Sequence, residues 1–216
     1  MFKIKLYKLL YLQIFIFISC SNVEIKEEFK IETPLKDYSP ISKAVEIDWI
    51  TDGDLSGVTL NHDSQTLYFI ENKFNTIWEA DTNMNLIRTI QGNGFGDSED
   101  LIYLGNNEFG IVNEAGNLFI GIIPISQNNI SIKEEDFQRI KFMDHNGNKG
   151  PEGVAYDFEN NHFFFVKEKN PMEFYFFQRP SSDENFLLIN PTIPFNAENW
   201  NGVVVTDLSG VTFDNR

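Results

Sequence analysis

The sequence predicts an all-β fold and, within that class, a β-propeller. Three observations carry the prediction. A corner motif recurs at Leu55–Val58, Ser98–Leu101, Gly150–Val154 and Leu208–Val211, so that Gly57, Asp100, Gly153 and Gly210 stand in equivalent places, 43, 53 and 57 residues apart. After each of the first three corners the same order follows: a short apolar strand, a polar turn, a second strand and an acidic residue. Aromatic side chains make up 14% of the chain, with 21 Phe, and flat rings pack well on pleated faces. Helical periodicity is nearly absent, because Asn, Gly and Asp interrupt the chain every few residues. Four strands in roughly 40–50 residues is the signature of a propeller blade. A β-sandwich would explain the short strands but not the repeated corner.

In chain order, the first segment is a targeting signal. Lys3, Lys5 and Lys8 form a basic stretch before the apolar run Leu9–Ile18, which is shorter than the roughly 20 residues of a membrane span. The run ends at "FISC", a lipobox-like sequence that makes Cys20 the residue to be lipidated; a plain cleaved signal with an incidental cysteine is the alternative. Residues 1–19 therefore read as a lipoprotein signal peptide, residues 20–40 as a solvated, lipid-anchored tether, and residues 41–216 as the propeller domain. This predicts a chain in the cell envelope, anchored to a bacterial membrane, the outer membrane being the expected one. Cys20 is the single cysteine, so no internal disulfide can form and packing alone must hold the domain.

The first unit then reads "GVTL", the turn "NHDSQT", "LYFIE", "TIWEAD" and "NLIRTI". The second reads "LIYL", the turn "GNN", "EFGIVNE", "LFIGII" and "FQRIKF". The third begins "GVAYD", "FENNH" and "FFFVKE". In "IKEEDFQRI" a helical turn competes with an outer strand. The stretch Lys43–Ile50 reads as an outer strand donated to the last blade. The repeats amount to about three blades plus the first strand of a fourth. The expectation is a truncated product that alone folds poorly, closes as a dimer or forms an open arc.

The formal net charge is −15 at pH 7. No basic stripe is visible, and this excludes nucleic acid as a partner. In an up-and-down blade, the lead into strand one and the connection from strand two to strand three share one face. Asp54, Glu99, Glu152 and Asp207 stand at the lead-ins, while Glu71, Glu114 and Glu168 follow the second strands, so both sets should gather around the channel mouth. Two carboxylates about 5 Å apart repel by roughly 3 kcal/mol at an effective dielectric near 20. Such a ring must be protonated, spread out or neutralised by a cation. Hard oxygen donors in a flexible arrangement suit calcium better than zinc, which favours His or Cys. His62 and His162 fall in first-hairpin turns on the opposite face, and only His145 could reach the mouth. No Ser-His-Asp arrangement, cysteine nucleophile or phosphate-cradling loop is apparent.

"DLSGVTL", "DLSGVTF", "GDSEDLIYL" and above all "GNKGPEGVAYD" followed by "VKEKNP" make the chain resemble the SdiA-regulated β-propellers, distant relatives of NHL-repeat propellers. The resemblance runs from about Val45 to Arg216. It implies an exported or lipid-anchored propeller, five-bladed when complete, with a calcium site in which Glu99, Glu152 and Glu168 are ligands. Asp54 stands where that family commonly has Glu, a longer arm. The resemblance adds no catalytic residue. The expected function is a calcium-associated binding module at the envelope, receiving a small ligand or protein segment at the channel mouth. The alternative is a metal-dependent hydrolase of the lactonase or phosphotriesterase type, and a purely structural propeller is a third reading.

Overall fold

Each repeat folds into its own twisted sheet. The computed structural model describes residues 47–50, 54–144, 149–196 and 208–212, all within one compact unit, Glu46–Arg216. The signal peptide, Cys20 and the tether lie outside the described residues, as do His145 and Asp207.

Blade 1 comprises β1 (Leu55–Asn61), β2 (Thr66–Glu71), β3 (Thr76–Asp81) and β4 (Leu86–Asn93). Blade 2 comprises β5 (Ser98–Gly105), β6 (Glu108–Asn113), β7 (Asn117–Ile122) and, after an intervening strand β8 (Ile130–Lys133), β9 (Gln138–Lys141). Blade 3 comprises β10 (Pro151–Asp157), β11 (His162–Lys167), β12 (Glu173–Gln178) and, after β13 (Phe186–Leu188), β14 (Thr192–Asn196). The four strands of each blade follow in antiparallel order.

The first hairpins show how sequence dictates the turns. In blades 1 and 3, Asn61 and Asp157 each accept backbone N–H bonds from the residues two and three ahead, an Asx turn that closes a four-residue loop. Blade 2 uses a two-residue turn, with Asn106 and Asn107 both at positive φ, 52° and 61°. That is the requirement of a type I′ hairpin, which Asn tolerates.

Two short strands depart from the four-strand reading. β8 leaves blade 2 to pair in parallel with β4 of blade 1, and β13 leaves blade 3 to pair in parallel with β9 of blade 2. The connection between the third and fourth strands of one blade thus extends the sheet of the blade before it. "IKEEDFQRI" forms β8, a single 3-10 turn at Glu134–Asp136 and β9. The donated outer strand expected at Lys43–Ile50 is not seen in its described part, because Asp48 and Trp49 form a turn. Trp49 instead packs on blade 1, its ring 5.7 Å from Phe69 and 6.1 Å from Trp78, and its indole N–H donates to the Met84 carbonyl at 3.0 Å.

Blades stack face to face, so a strand covered on both sides buries both faces. On β2, Tyr68 and Ile70 face blade 2, whereas Phe69 joins Trp78, Ala80 and Trp49 on the other side. Between blades 2 and 3, Val112, Leu118 and Ile140 meet Phe163, Phe165 and Phe177, and Phe142 stacks on Phe165 with ring centroids 4.2 Å apart. Each such side chain removed from water contributes about 1.5–3 kcal/mol. One polar cluster sits among them: buried Arg88 donates to Glu79 at 2.5 Å, to the Tyr68 hydroxyl and to the Pro124 carbonyl of blade 2.

The innermost strands β1, β5 and β10 lie side by side. At the corners the approach is so close that a Cβ on Gly57 would sit 2.8 Å from the Asp100 Cα, and one on Gly153 would sit 2.8 Å from the Gly210 Cα. Gly57 and Gly153 are therefore needed for close packing and not for a positive φ. Gly57→Ala should cost roughly 1–3 kcal/mol, the usual penalty of overpacking, read as a lower denaturation midpoint. An unchanged midpoint would show that the strands are not held this close.

Candidate functional site

The corners share a feature that explains their recurrence. In each blade the pairing of first and second strands slips by one residue, between Leu55 and Gly57, between Ser98 and Asp100, and between Pro151 and Gly153. The extra residue in each β-bulge is Ser56, Glu99 or Glu152. A bulge re-aims the side chain of its extra residue, and here it does so at the same level in three adjacent strands. Pro151, as the first residue of β10, stands where the missing N–H is least costly.

The structure brings three of the predicted acids together. Carboxylate oxygens of Glu99, Glu114 and Glu152 all lie within 4.8 Å of one another. Glu99 and Glu114 are buried and Glu152 is half-buried. Blade 2 supplies the first two and blade 3 the third, so the group straddles one blade boundary. Glu114 is fixed by the backbone, since its Oε1 accepts the N–H groups of Lys149 and Gly150 in the lead-in to blade 3.

The other predicted residues lie elsewhere. Glu71 is buried, accepts the Thr76 hydroxyl at 3.0 Å and pairs with Leu55 in the ladder. Glu114 and Glu168 each stand one residue beyond the equivalent pairs, Ser98 with Asn113 and Pro151 with Lys167. Their N–H groups bond to the carbonyls of Asp97 and Gly150, as that of Asn72 does to Asp54. Asn72, not Glu71, is therefore the blade 1 counterpart of Glu114. Glu168 is buried and its carboxylate pairs with the Lys169 ammonium; it is not one of the three converging acids. Asp54 is exposed.

Burial, then the charges of Glu152, Asp97 and Glu114, push the Glu99 carboxyl up to about 8. A second acid, Asp100, carries no role in the sequence reading. It is the one corner residue of the four that is not glycine, and that deviation was its signal. Its Oδ1 accepts the Leu101 N–H at 2.8 Å and its Oδ2 the Val154 N–H of blade 3 at 2.9 Å. Burial pushes its carboxyl up to about 7, against those two donors. Beyond this layer, towards the first hairpins, the channel holds a cavity of about 320 Å³ lined by Leu60, Ile102, Tyr103, Ala155 and Tyr156 among others. Asp100 is part of its wall, whereas Glu99, Glu114 and Glu152 are not.

The donor set fits a hard cation. Calcium–oxygen distances of about 2.3–2.6 Å place opposite ligands no more than about 5 Å apart, and the three carboxylates meet that limit. They offer oxygen alone, with none of the His or Cys donors that zinc favours.

Both raised carboxyls favour their protonated forms in the folded chain. The stability Glu99 contributes is fully present below its ordinary value of 4.5 and is lost as pH rises through about 8. Cation-free protein should therefore melt at progressively lower temperature across that range, and Glu99→Gln should make the decline shallower. A melting temperature that rises with pH over the same interval would contradict the arrangement.

A family model described as SdiA-regulated matches residues 33–216. Among solved structures, the chain is similar to one in a nidogen/laminin complex, with a TM-score of 0.50 at 13% identity, covering 74% of this chain and 52% of that one. Hydrazine synthase of Kuenenia stuttgartiensis gives a TM-score of 0.43 at 10% identity, covering 66% of this chain and 36% of that one. The Cps50 (Swd1) β-propeller domain of Myceliophteria thermophila gives 0.42 at 11% identity, covering 66% and 42%. The chain thus spans about half or less of the length of these structures. At such identities a likeness bears on fold alone.

Proposed function

Because the chain belongs to the SdiA-regulated family, we propose that it is a β-propeller binding module of the cell envelope, anchored by lipid at Cys20 and associated with calcium. Glu99, Glu114 and Glu152 would hold the ion. The ion would supply charge neutralisation there and attraction for an oxygen-bearing ligand or protein segment at the channel mouth. One observation carries the reading: three carboxylates from two blades converge within 4.8 Å, an arrangement that a merely solvated acidic surface has no reason to bury. The chain's own residues do the rest. The bulges aim Glu99 and Glu152 inward, and the N–H groups of Lys149 and Gly150 fix Glu114.

At a calcium concentration about 100 times its dissociation constant, binding should stabilise the fold by about 2.7 kcal/mol. For a chain of this size that is a rise of roughly 5–10 °C over chelated protein. Glu152→Gln should remove most of the rise while leaving the chelated melting temperature unchanged or higher. Equal melting temperatures with calcium and with chelator would overturn the proposal. An esterase and lactonase panel run with calcium separates it from metal-dependent hydrolysis, which requires turnover that Glu152→Gln abolishes.

A further inference from the structure

Glu99 and Glu152 belong to different blades, and no ladder hydrogen bonds join β5 to β10. Their meeting therefore depends on whatever fixes the two strands in register. Side-chain packing does this loosely, because apolar contacts are non-directional. A hydrogen bond across the seam does it at a stated atom. The Asp100 carboxylate supplies one: with one oxygen on the N–H of Leu101 in its own strand and the other on the N–H of Val154 in the next blade, it bridges the two corners. Leu101 and Val154 each stand two residues beyond the bulge residues Glu99 and Glu152, so the bridge sets both bulges at one level.

The opposite side of Asp100 is also constrained. A Cβ on Gly57 would lie 2.1 Å from its Oδ1, so blade 1 presses backbone against the carboxylate and leaves it no room to swing away from Val154. Blades 1 and 3 carry glycine at this corner and have no side chain that could make such a bridge.

We propose that Asp100 is a positioning residue, an inter-blade clamp whose hydrogen bond to Val154 holds Glu152 against Glu99. The cation-binding consequence rests on the function proposed above; the clamp itself does not. Only a carboxylate of this length serves. Asn keeps the shape but presents an NH₂ to one of the two N–H donors, and Glu has an extra methylene that the Gly57 contact cannot take.

The test compares the full chain with Asp100→Asn, and with Asp100→Gly, which gives blade 2 the corner residue of its neighbours. The probes are calcium alone, by calorimetric titration, and europium luminescence lifetime, which counts water on the bound ion. Amide hydrogen exchange at Val154 is measured against ladder amides of β11 and β12. The expected result is calcium affinity lower by roughly 10- to 100-fold, the usual loss when a residue supporting a ligand is removed. Bound europium should also carry more water, and Val154 should exchange faster while the β11 and β12 amides stay protected. A merely structural role would lower the melting temperature and loosen those ladders without adding water to the ion. Unchanged affinity in a variant that binds like the parent overturns the positioning role and leaves the calcium reading standing. If the parent itself binds no calcium, that reading fails, and Val154 exchange alone decides the clamp: faster exchange in the variants supports it, unchanged exchange overturns it.

Discussion

At two of the corners, Gly57 and Gly153, the neighbouring chain approaches until there is no space for a single additional carbon. A Cβ on Gly57 would collide with Asp100, and one on Gly153 with Gly210. Everything distinctive about the molecule depends on that contact. Strands this close must bulge to keep their own hairpin pairing while curving past a neighbour, and the bulge places Ser56, Glu99 and Glu152 where they are. A looser channel would tolerate side chains at positions 57 and 153 and would separate the acids.

The approach is sustained from the periphery. The faces shared between blades are buried, β2 and β11 are apolar at consecutive positions, and aromatic rings fill the wedge between sheets, while Phe164, Phe174 and Phe176 of blade 3 stay half-buried. The parallel pairing of β8 with blade 1 and of β13 with blade 2 ties each outer edge to the following blade. An otherwise open sheet edge is covered in the process. Buried Arg88 reinforces the same seam by reaching the Pro124 carbonyl, in the segment that leads to β8. Its partner Glu79 is satisfied within blade 1 by Arg88 and by the Thr66 hydroxyl. Blade-to-blade order is therefore fixed at both the inner and outer ends of the sheets, and the channel inherits that rigidity.

The corners and the four strands of each blade were legible because they repeat. β8 and β13 were not, since three or four residues carry no periodicity and their partners lie in another blade. The acids were half legible. The order of strand, turn, strand and acid sets Glu71 with Glu114, but the first hairpin of blade 2 closes with two residues where blades 1 and 3 use four. Gly57 pairs with Ile70 and Gly153 with Val166, yet Asp100 pairs with Val112. That difference of one residue moves Glu71 to the other side of its strand. Asp100 was visible as the odd member of an aligned set, but its meaning was not, because its partner N–H is 54 residues away. Local sequence records that a rule is broken; the contact that makes use of the break is long-range.

Glu99, Glu114 and Glu152 place the chain in an electrostatic conflict with a definite consequence. Three carboxylates at this separation cannot all be ionised in a buried setting without a counter-charge, and burial together with the neighbouring charges pushes Glu99 up to about 8, favouring a proton there at neutral pH. That proton and the proposed cation relieve the same repulsion, so they compete for the same oxygens. Below neutrality the proton wins and the fold is comfortable without metal. As pH rises towards 8 the proton is lost, the cation-free fold weakens and the site becomes a better host. Binding of the proposed cation near neutrality would then displace a proton. The cost of assembling the acids is thus carried by the cation-free state alone. Glu114 stays in place throughout, because its position is set by the N–H groups of Lys149 and Gly150 and not by the occupant. The half-buried Glu152 is the carboxylate with room to adjust, and the clamp at Val154, two residues along the same strand, limits how far it can go.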